Sequence, residues 1–139
     1  MNGGDPIDEL TAADVELLTG LNFAHVAAIR PDGTPHVSVV WIDAADGYVL
    51  VNSAVGRVKD RYLRRDPRAS VTVHDERDPY RWIRVDGVVE AFVTGDEAVR
   101  HIDALNRRYH DGRPWTYTEG QQRVIYRIRP RRILRRYDG

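Results

Sequence analysis

The sequence predicts a single α+β domain built on a small, mostly antiparallel β-barrel of about six strands, with short helices between them. Three observations lead to this class. The chain has 139 residues, the length of one domain. Several segments alternate apolar and polar residues at the strand period of two, and turns rich in Pro, Asp and Gly separate them. A closed barrel is favoured over an open sheet because closure leaves no edge strand unpaired.

The chain is expected to start with a flexible segment, residues 1–9, followed by a short helix and a hairpin. Thr11 and Asp14 have the spacing of an acidic capping box, which marks the start of a helix. Segments 23–30 and 35–42 are apolar runs on either side of a Pro-Asp-Gly turn. That arrangement predicts a β-hairpin.

The segments that follow predict a third strand and a second helix. Residues 43–47 indicate a turn and residues 48–53 a strand, so the first three strands are expected to form an antiparallel meander. Apolar residues at helical spacing over 54–65 predict a helix. Asp66-Pro67 ends it, because proline disfavours the α conformation in the residue before it.

Three further strands are predicted in the C-terminal half, at 69–74, 80–92 and 122–136. A charged loop, 75–79, separates the first two of them. Thr94 and Glu97 have capping-box spacing and predict a helix whose apolar stripe runs to Tyr109. No internal repeat, low-complexity tract or linker interrupts the chain, so residues 1–139 are expected to form one domain.

The composition excludes several classes of protein. Lys plus Arg and Asp plus Glu each number 21, so the net charge is zero, which argues against a dedicated nucleic-acid binder. No apolar run approaches the roughly 20 residues of a membrane span, and the N-terminus does not resemble a signal peptide. Cysteine is absent, which excludes disulfides and Cys-ligated metals. We therefore expect a cytoplasmic protein without nucleic-acid or membrane partners.

The common catalytic motifs are missing from the sequence. It contains no Gly-x-Ser-x-Gly elbow, no Walker loop and no Gly-x-Gly-x-x-Gly fingerprint. The five histidines do not show metal-ligand spacing, so no metal is expected. His25, His36 and His74 lie in predicted strands, where a structural role is favoured. Metal-assisted hydrolysis and serine acyl transfer are both disfavoured.

A polar cluster follows the third predicted strand: Asn52, Ser53, Arg57, Lys59 and Arg61. A strand that leads into a helix brings unpaired backbone N–H groups beside these side chains, and the helix dipole favours an anion there. Arginine can hold a phosphate through two parallel hydrogen bonds, and Lys59 is the only lysine of the chain. A phosphate site is one interpretation, and a solvated helix face in an arginine-rich protein is the other.

Three aromatic residues on predicted strands, Trp41, Tyr80 and Trp82, could supply apolar walls. Tyr80 and Trp82 are two residues apart and therefore share one face of their strand. A planar ligand with a phosphate tail needs such walls beside an anion site. Filling of the core is the alternative role for each ring.

Four segments, in this order along the chain, resemble a known family: 34–41 (TPHVSVVW), 51–59 (VNSAVGRVK), 63–73 (LRRDPRASVTV) and 84–90 (RVDGVVE). Over residues 10–136 the chain resembles the pyridoxamine 5′-phosphate oxidase-like split-barrel family. More closely, it is similar to the actinobacterial branch of oxidoreductases that depend on the deazaflavin coenzyme F420. The Arg-x-Lys helix followed by Leu-Arg-Arg-Asp-Pro-Arg-Ala is the most specific part of the match.

The resemblance implies an FMN-binding type of split barrel, with about six strands, that forms a homodimer. Two equivalent cofactor sites would lie at the interface between the subunits. At the matching positions, Arg57 and Lys59 would hold the cofactor phosphate. Asn52 and Ser53 would line the ring and ribityl region.

The same resemblance assigns five further residues to the cofactor ring. His36, Val39 and Trp41 would flank the ring from the second strand. Tyr80 and Trp82 would reach in from the partner subunit. The nine residues together are the cofactor-binding set that the sequence predicts.

The implied activity is hydride transfer between reduced F420 and a conjugated small-molecule acceptor, with the protein orienting the cofactor and excluding water. No side chain is required as acid or base; solvent, and after it His36, could supply a proton. FMN is the alternative cofactor, because both cofactors carry a phosphate at the same place. Oxidases of vitamin B6 carry a C-terminal Arg-Leu-His-x-Arg element, and the stretch Arg132-Ile-Leu-Arg-Arg136 lacks its histidine, which disfavours that substrate.

F420 is favoured over FMN because an arginine-rich protein suits its anionic oligoglutamate tail. Three alternatives stay open: an FMN-binding oxidoreductase or electron-transfer protein, a non-catalytic binder of flavin, deazaflavin or haem, and a structural dimer without ligand. Substrate specificity is expected to come from loops 75–79 and 110–117, which carry no readable motif.

Overall fold

The computed structural model describes residues 8–111 and 120–139, which contain three helices and seven strands. In chain order these elements are α1 (Ala12–Thr19), β1 (Phe23–Ile29), β2 (Pro35–Trp41), β3 (Asp43–Ala45), β4 (Tyr48–Ala54), α2 (Val58–Arg65), β5 (Arg68–Asp75), β6 (Asp78–Thr94), α3 (Asp96–Tyr109) and β7 (Arg123–Arg135). None of the helices in these two ranges is long and apolar enough to cross a membrane.

The strands form one antiparallel sheet in the order β2-β1-β5-β6-β7-β4-β3. The sheet curls around a core of aliphatic side chains, among which Val26, Val51, Val71, Val85 and Ile128 are fully buried. α1 and α2 contribute buried leucines to the same core. A curled antiparallel sheet with short helices is the predicted α+β class.

The structure has one strand more than predicted, because part of the expected turn at 43–47 is β3. Ala44 is buried and pairs with Val49 of β4. The turn itself shrinks to Asp46 and Gly47, which adopt positive φ values of 54° and 83°. Two such residues in succession are what a tight hairpin turn requires, and Asp-Gly supplies them.

The predicted meander of the first three strands is wrong beyond its first hairpin. β1 and β2 pair as expected, with Ala27 opposite Val37. β4, however, pairs with β7 and β3 and not with β2. Pairing with β7 buries Val49 and Val51 of β4 in the core, whereas alternate residues of β2, such as Val37, are exposed. Burial therefore outweighs closeness in sequence.

The sequence predicts two capping boxes at helix starts, and the structure confirms one of them. Thr11 and Asp14 form the expected box at α1, each side chain bonding the backbone N–H of the other. The box predicted for Thr94 and Glu97 is wrong. Thr94 is still part of β6, and Gly95 is the N-cap of α3 with no side-chain hydrogen bond. The long strand β6 therefore extends to the position at which the local capping pattern predicted the start of the helix.

Two other boundaries differ from the prediction. The second helix begins at Val58 and not at residue 54, because β4 continues to Ala54, which pairs with Arg123. The charged loop 75–79 is largely strand, since β5 ends at Asp75 and β6 begins at Asp78. Of the N-terminal segment expected to be flexible, only residues 8 and 9 are described, and the Asp8 carboxylate accepts a hydrogen bond from the backbone N–H of Ile133 at 2.7 Å.

Candidate functional site

A cavity of about 800 Å³ lies between β2, the end of β4, the start of α2 and the inner face of α3. That volume is within the range of roughly 300–1,000 Å³ typical of sites for small molecules and cofactors. Among the described residues, its lining includes three basic side chains, Arg57, Lys59 and Arg123, and no acidic one. The remaining walls are mostly apolar or aromatic, so the cavity suits a largely apolar ligand with an anionic group.

Six of the nine predicted site residues line this cavity: His36, Val39, Trp41, Asn52, Arg57 and Lys59. The other three, Ser53, Tyr80 and Trp82, are not among its lining residues. The predicted residues therefore make up six of the fourteen described residues that line the cavity, and they lie on β2, β4 and α2.

Ser53 points away from the cavity because side chains alternate along β4. Val49, Val51 and Ser53 lie on the buried face of the strand, whereas Asn52 lies on the face toward α3. The side chain of Ser53 is fully buried in the core. The predicted contact of Ser53 with a ring or ribityl chain has no support from its position in one subunit.

Tyr80 and Trp82 lie near the hairpin end of β6. Both alternate with the buried Ile83 and share the outer face of the strand. Tyr80 is 70% exposed, and Trp82 borders a smaller depression beside Thr72 and His74. Their predicted role concerns the site of a partner subunit, and their exposure in a single chain is compatible with it.

The start of α2 provides the anion-binding features of the cavity. Arg57 is the N-cap, and no side chain caps the helix, so the first-turn amides have no intrahelical acceptor. Arg57 itself is exposed, and Gly56 before it adopts a positive φ of 90°. Free amides, the positive end of the helix dipole and two cationic side chains together favour an anion.

Lys59 is a partly desolvated cation of the cavity wall. Its Nζ lies 3.4 Å from Oγ of Ser38 on β2. Burial, and after it the nearby charges of Arg57 and Arg123, lower the pKa of Lys59 from 10.5 to about 8. A dianionic group between these three cations would relieve their repulsion.

Asp60 holds the loop before α2 in place, and sequence reasoning did not single it out. Its buried carboxylate accepts hydrogen bonds from the Gly56 N–H at 3.0 Å, from Arg64 Nε at 3.0 Å and from the Tyr126 hydroxyl at 2.9 Å. These hydrogen bonds fix the loop relative to β7. The sequence alone does not reveal this role, because the contact with Tyr126 on β7 joins residues that are far apart along the chain.

Arg123 lines the cavity, and the sequence did not reveal it. It begins β7, is buried, and its Nε donates to Oδ1 of Asn52 at 3.0 Å. In the sequence it alternates with apolar residues like Arg127 and Arg129, so nothing local marks it as different. Its burial arises because α3 covers this end of β7, which is a tertiary effect.

Aromatic rings complete the wall on the β2 side. Trp41 lines the cavity, and its indole meets the ring of His110 edge-on with centroids 5.0 Å apart. His36 packs edge-on against Tyr62 at 5.4 Å, and its buried Nδ1 has no hydrogen-bond partner among the described residues. An unpartnered ring nitrogen in a cavity wall fits a site that takes a polar ligand. Of the predicted specificity loop 110–117, residues 112–117 lie outside the described residues.

Comparisons with known proteins agree with the fold described above. The model of the pyridoxamine 5′-phosphate oxidase family matches residues 10–137. A solved protein named F420 reductase shares 32% identity, with 86% of this chain and 94% of that one aligned at a TM-score of 0.75. A conserved hypothetical protein from Mycobacterium tuberculosis shares 27% identity, with 91% and 84% aligned at a TM-score of 0.70. A protein of unknown function from Agrobacterium tumefaciens, at 18% identity, 97% and 61% aligned and a TM-score of 0.70, is alike in fold alone.

Proposed function

This chain belongs to the pyridoxamine 5′-phosphate oxidase family of oxidoreductases, and we propose that it is a reductase that uses the deazaflavin coenzyme F420 to reduce a conjugated small molecule. The curled antiparallel sheet is the split barrel of that family. A flavin-type cofactor is common to the family and to the F420 reductase that the chain resembles. Dependence on F420, hydride transfer and the nature of the acceptor are the parts that we propose.

The observation that carries the proposal is the charge of the cavity. Arg57, Lys59 and Arg123 stand in a wall that holds no carboxylate among the described residues, next to the apolar side chains of Val39 and Ile102. A flavin or deazaflavin has a planar ring for the apolar part and a phosphate for the cationic part. The residues present therefore fit such a cofactor.

Each part of the cavity has a task in this proposal. Arg57 and Lys59, with the first-turn amides of α2, hold the phosphate. Val39, Trp41 and Leu105 line the apolar part of the cavity, where they exclude water from the ring. When bound, reduced F420 supplies the hydride that the acceptor receives. Orientation of the two molecules is the contribution of the protein.

No side chain of the cavity is proposed as a required acid or base. The proton that accompanies the hydride comes from solvent, since the cavity opens to the surface. His36 is the one titratable ring in the described lining that could replace solvent in this role. Replacement of His36 by Ala is expected to leave turnover largely unchanged, and a loss of turnover at unchanged cofactor affinity would assign the proton to His36.

Two copies of the chain are proposed to form the active unit. Val37 and Val39 on the edge strand β2 are 59% and 62% exposed, and Tyr80 on β6 is 70% exposed. Apolar side chains of this size are usually covered when they lie beside a binding site. A partner subunit would cover them and would bring its Tyr80 and Trp82 to the open side of the cavity.

The test is a titration of the cofactor-free protein with oxidised F420 and with FMN, in which the dissociation constant of each cofactor is measured by fluorescence. The double variant Arg57→Ala/Lys59→Ala removes two cavity charges, and the matched variant Arg107→Ala/Arg131→Ala removes two exposed charges outside the cavity. Tighter binding of F420, lost in the first variant and kept in the second, is the expected result. Tighter binding of FMN would assign the protein to the flavin-dependent enzymes. Failure to bind either cofactor would overturn the proposal.

A further inference from the structure

A chain of hydrogen bonds runs from α3 to the cavity wall. His101 Nε2 lies 3.0 Å from Oδ2 of Asp43, and its Nδ1 lies 3.1 Å from Nδ2 of Asn52. Asn52 Oδ1 in turn accepts from Nε of Arg123 at 3.0 Å. Asn52 and Arg123 line the cavity, whereas His101 and Asp43 stand behind them, with side chains only 11% and 16% exposed.

The partners of Asn52 fix which way its carboxamide points. Nδ2 also lies 2.9 Å from the carbonyl oxygen of Ala98, which can only accept, and Oδ1 faces the guanidinium of Arg123, which can only donate. Both hydrogens of Nδ2 are therefore used, one by Ala98 and one by His101. Oδ1 keeps one lone pair for a ligand in the cavity.

The same contacts fix the tautomer of His101. Because Asn52 offers a donor, Nδ1 of His101 has to accept and carries no proton. The proton of the neutral ring is then on Nε2, where it is donated to Asp43. Asp43 is anchored from its other oxygen by Arg108, at 2.9 Å. Burial raises the pKa of Asp43, but the hydrogen bonds from His101 and Arg108 outweigh it and hold the pKa below 3.8.

We propose that His101 is a positioning residue: held by Asp43, it sets the Asn52 carboxamide so that its oxygen and the Arg123 guanidinium are presented to the cofactor. The inference rests on the proposed function, since it concerns how the same cavity binds its ring and ribityl region. It assigns an acceptor oxygen, and not an amide donor, to the Asn52 position. A hydroxyl or ring N–H of the cofactor is the group that this oxygen recognises.

The first test needs no cofactor. Long-range ¹H–¹⁵N correlation spectra of the ¹⁵N-labelled protein distinguish the two neutral tautomers of each histidine, and the variant His101→Asn identifies the signals of His101 by their loss. The expected result is a neutral His101 protonated on Nε2. A His101 protonated on Nδ1 would overturn the proposal, whatever the protein binds.

The second test compares two substitutions of the same ring. His101→Asn keeps an acceptor oxygen near the place of Nδ1, whereas His101→Leu has no acceptor. For whichever of F420 and FMN binds the unaltered protein, His101→Leu is expected to raise the dissociation constant about fivefold to tenfold, the usual worth of one hydrogen bond. His101→Asn is expected to stay within about threefold of the unaltered protein, since an amide oxygen replaces the ring nitrogen at similar energy.

A control separates positioning from loss of fold and from failure of the proposed function. Arg107→Gln changes the exposed face of the same helix and is expected to bind as the unaltered protein does. Equal weakening by His101→Asn and His101→Leu, with circular dichroism unchanged, would overturn the positioning role. Binding of neither F420 nor FMN by the unaltered protein would overturn the proposed function, and the tautomer experiment would still decide the geometry of the network.

Discussion

The ring of Tyr109 lies parallel to the indole of Trp41, with centroids 5.1 Å apart and planes 2° apart. The Tyr109 hydroxyl donates to the carbonyl of Asn22 at 2.6 Å and accepts from the backbone N–H of Ile42 at 3.2 Å. The last residue of α3 is thereby fixed against β2 and against the loop before β1. Trp41, a wall of the cavity, is held in one orientation by the stack.

Two variants of Tyr109 separate its hydroxyl from its ring. Tyr109→Phe loses the two hydrogen bonds and is expected to lower the free energy of unfolding by about 1–2 kcal/mol, while cofactor affinity stays nearly constant. Tyr109→Leu also removes the stack and is expected to weaken cofactor binding about fivefold, because an aromatic pair contributes roughly 0.5–1.5 kcal/mol. Urea unfolding and fluorescence titration measure the two effects. Equal loss of affinity in both variants would contradict the role of the stack.

Lys59 is expected to make cofactor binding depend on pH. The phosphate of the proposed cofactor pairs with the charged ammonium of Lys59. The pKa of this ammonium is about 8 in the free protein, because of burial and the neighbouring charges of Arg57 and Arg123. Above pH 8 binding has to be accompanied by uptake of a proton, so affinity should fall by up to about tenfold per pH unit. Titrations between pH 7 and 10 measure the slope. Lys59→Arg, which stays charged, should flatten it, and an unchanged slope in that variant would assign the pH dependence elsewhere.

The lowered pKa of Lys59 also affects the stability of the free protein, in the direction opposite to its effect on cofactor affinity. The pKa of Lys59 is lower in the fold than the ordinary value of 10.5. Between about pH 8 and that value, the unfolded chain binds more protons than the fold, so this lysine adds stability as the pH rises. Opposite trends of affinity and stability in that window would therefore both point to Lys59.

Asp14 ties the first helix to the C-terminal end of the chain. Its buried carboxylate accepts hydrogen bonds from Nε and Nη2 of Arg135 at 3.0 and 2.7 Å, from the Tyr137 hydroxyl at 2.7 Å and from the N–H of Thr11 at 2.8 Å. Burial raises the pKa of Asp14, but the hydrogen bonds from Arg135, Thr11 and Tyr137 outweigh it and hold the pKa below 3.8.

Asp14→Asn is expected to lower the free energy of unfolding by about 2–4 kcal/mol at neutral pH, because it leaves Arg135 without its ion-pair partner. A carboxyl whose pKa is depressed in the fold stabilises it above the unfolded pKa, and that stability is lost as the pH falls through the folded value. The loss of stability below about pH 4 should therefore be shallower in the variant, as seen by urea unfolding at several pH values. The exposed Asp138→Asn serves as control, and a similar acid profile in both variants would contradict the prediction.

Gly87 is needed for the close contact of β6 and β7. A Cβ at this position would lie 2.4 Å from the carbonyl oxygen of Arg129 and 2.9 Å from Cγ2 of Ile128. The two strands change register between Asp86 and Gly87. Gly87→Ala is expected to cost about 1–3 kcal/mol in chemical unfolding, since strand backbone has to move.

Gly20→Ala is the comparison, because the added Cβ would meet the Asn22 side chain at 3.1 Å, a longer contact than the 2.4 Å to strand backbone at Gly87. A smaller cost for Gly20→Ala than for Gly87→Ala is expected. A reversed order would show that the strand contact at Gly87 is looser than the structure indicates.

Local interactions of this fold could be predicted from the sequence, and distant ones could not. The capping box of Thr11 and Asp14 and the β1–β2 hairpin depend on residues that are close along the chain. The pairing of β4 with β7 depends on which strand buries Val49 and Val51, and no short-range pattern encodes it. The misplaced cap at Thr94 has the same origin, because β6 overrides a valid local signal.

The residues of the candidate site also differ in whether the sequence could reveal them. Arg57 and Lys59 could be found because helix-start position and residue type already favour an anion. Arg123, Asp60 and His101 could not, because each acquires its role from a partner on another element: Asn52, Tyr126 and Asp43 respectively. Ordinary polar residues become parts of a site only when the sheet brings these partners together.

The position of β4 between β3 and β7 also determines when the cavity can form. Val51 pairs with Tyr126, about half the chain further on. On a ribosome, β1, β2, β5 and β6 can pair with one another before β7, the partner of β4, has been synthesised. Asn52 and Arg123 meet only at that step. Because this ladder is non-local, the cavity that we propose as the cofactor site can form only after β7 has been made, although much of its wall is synthesised long before.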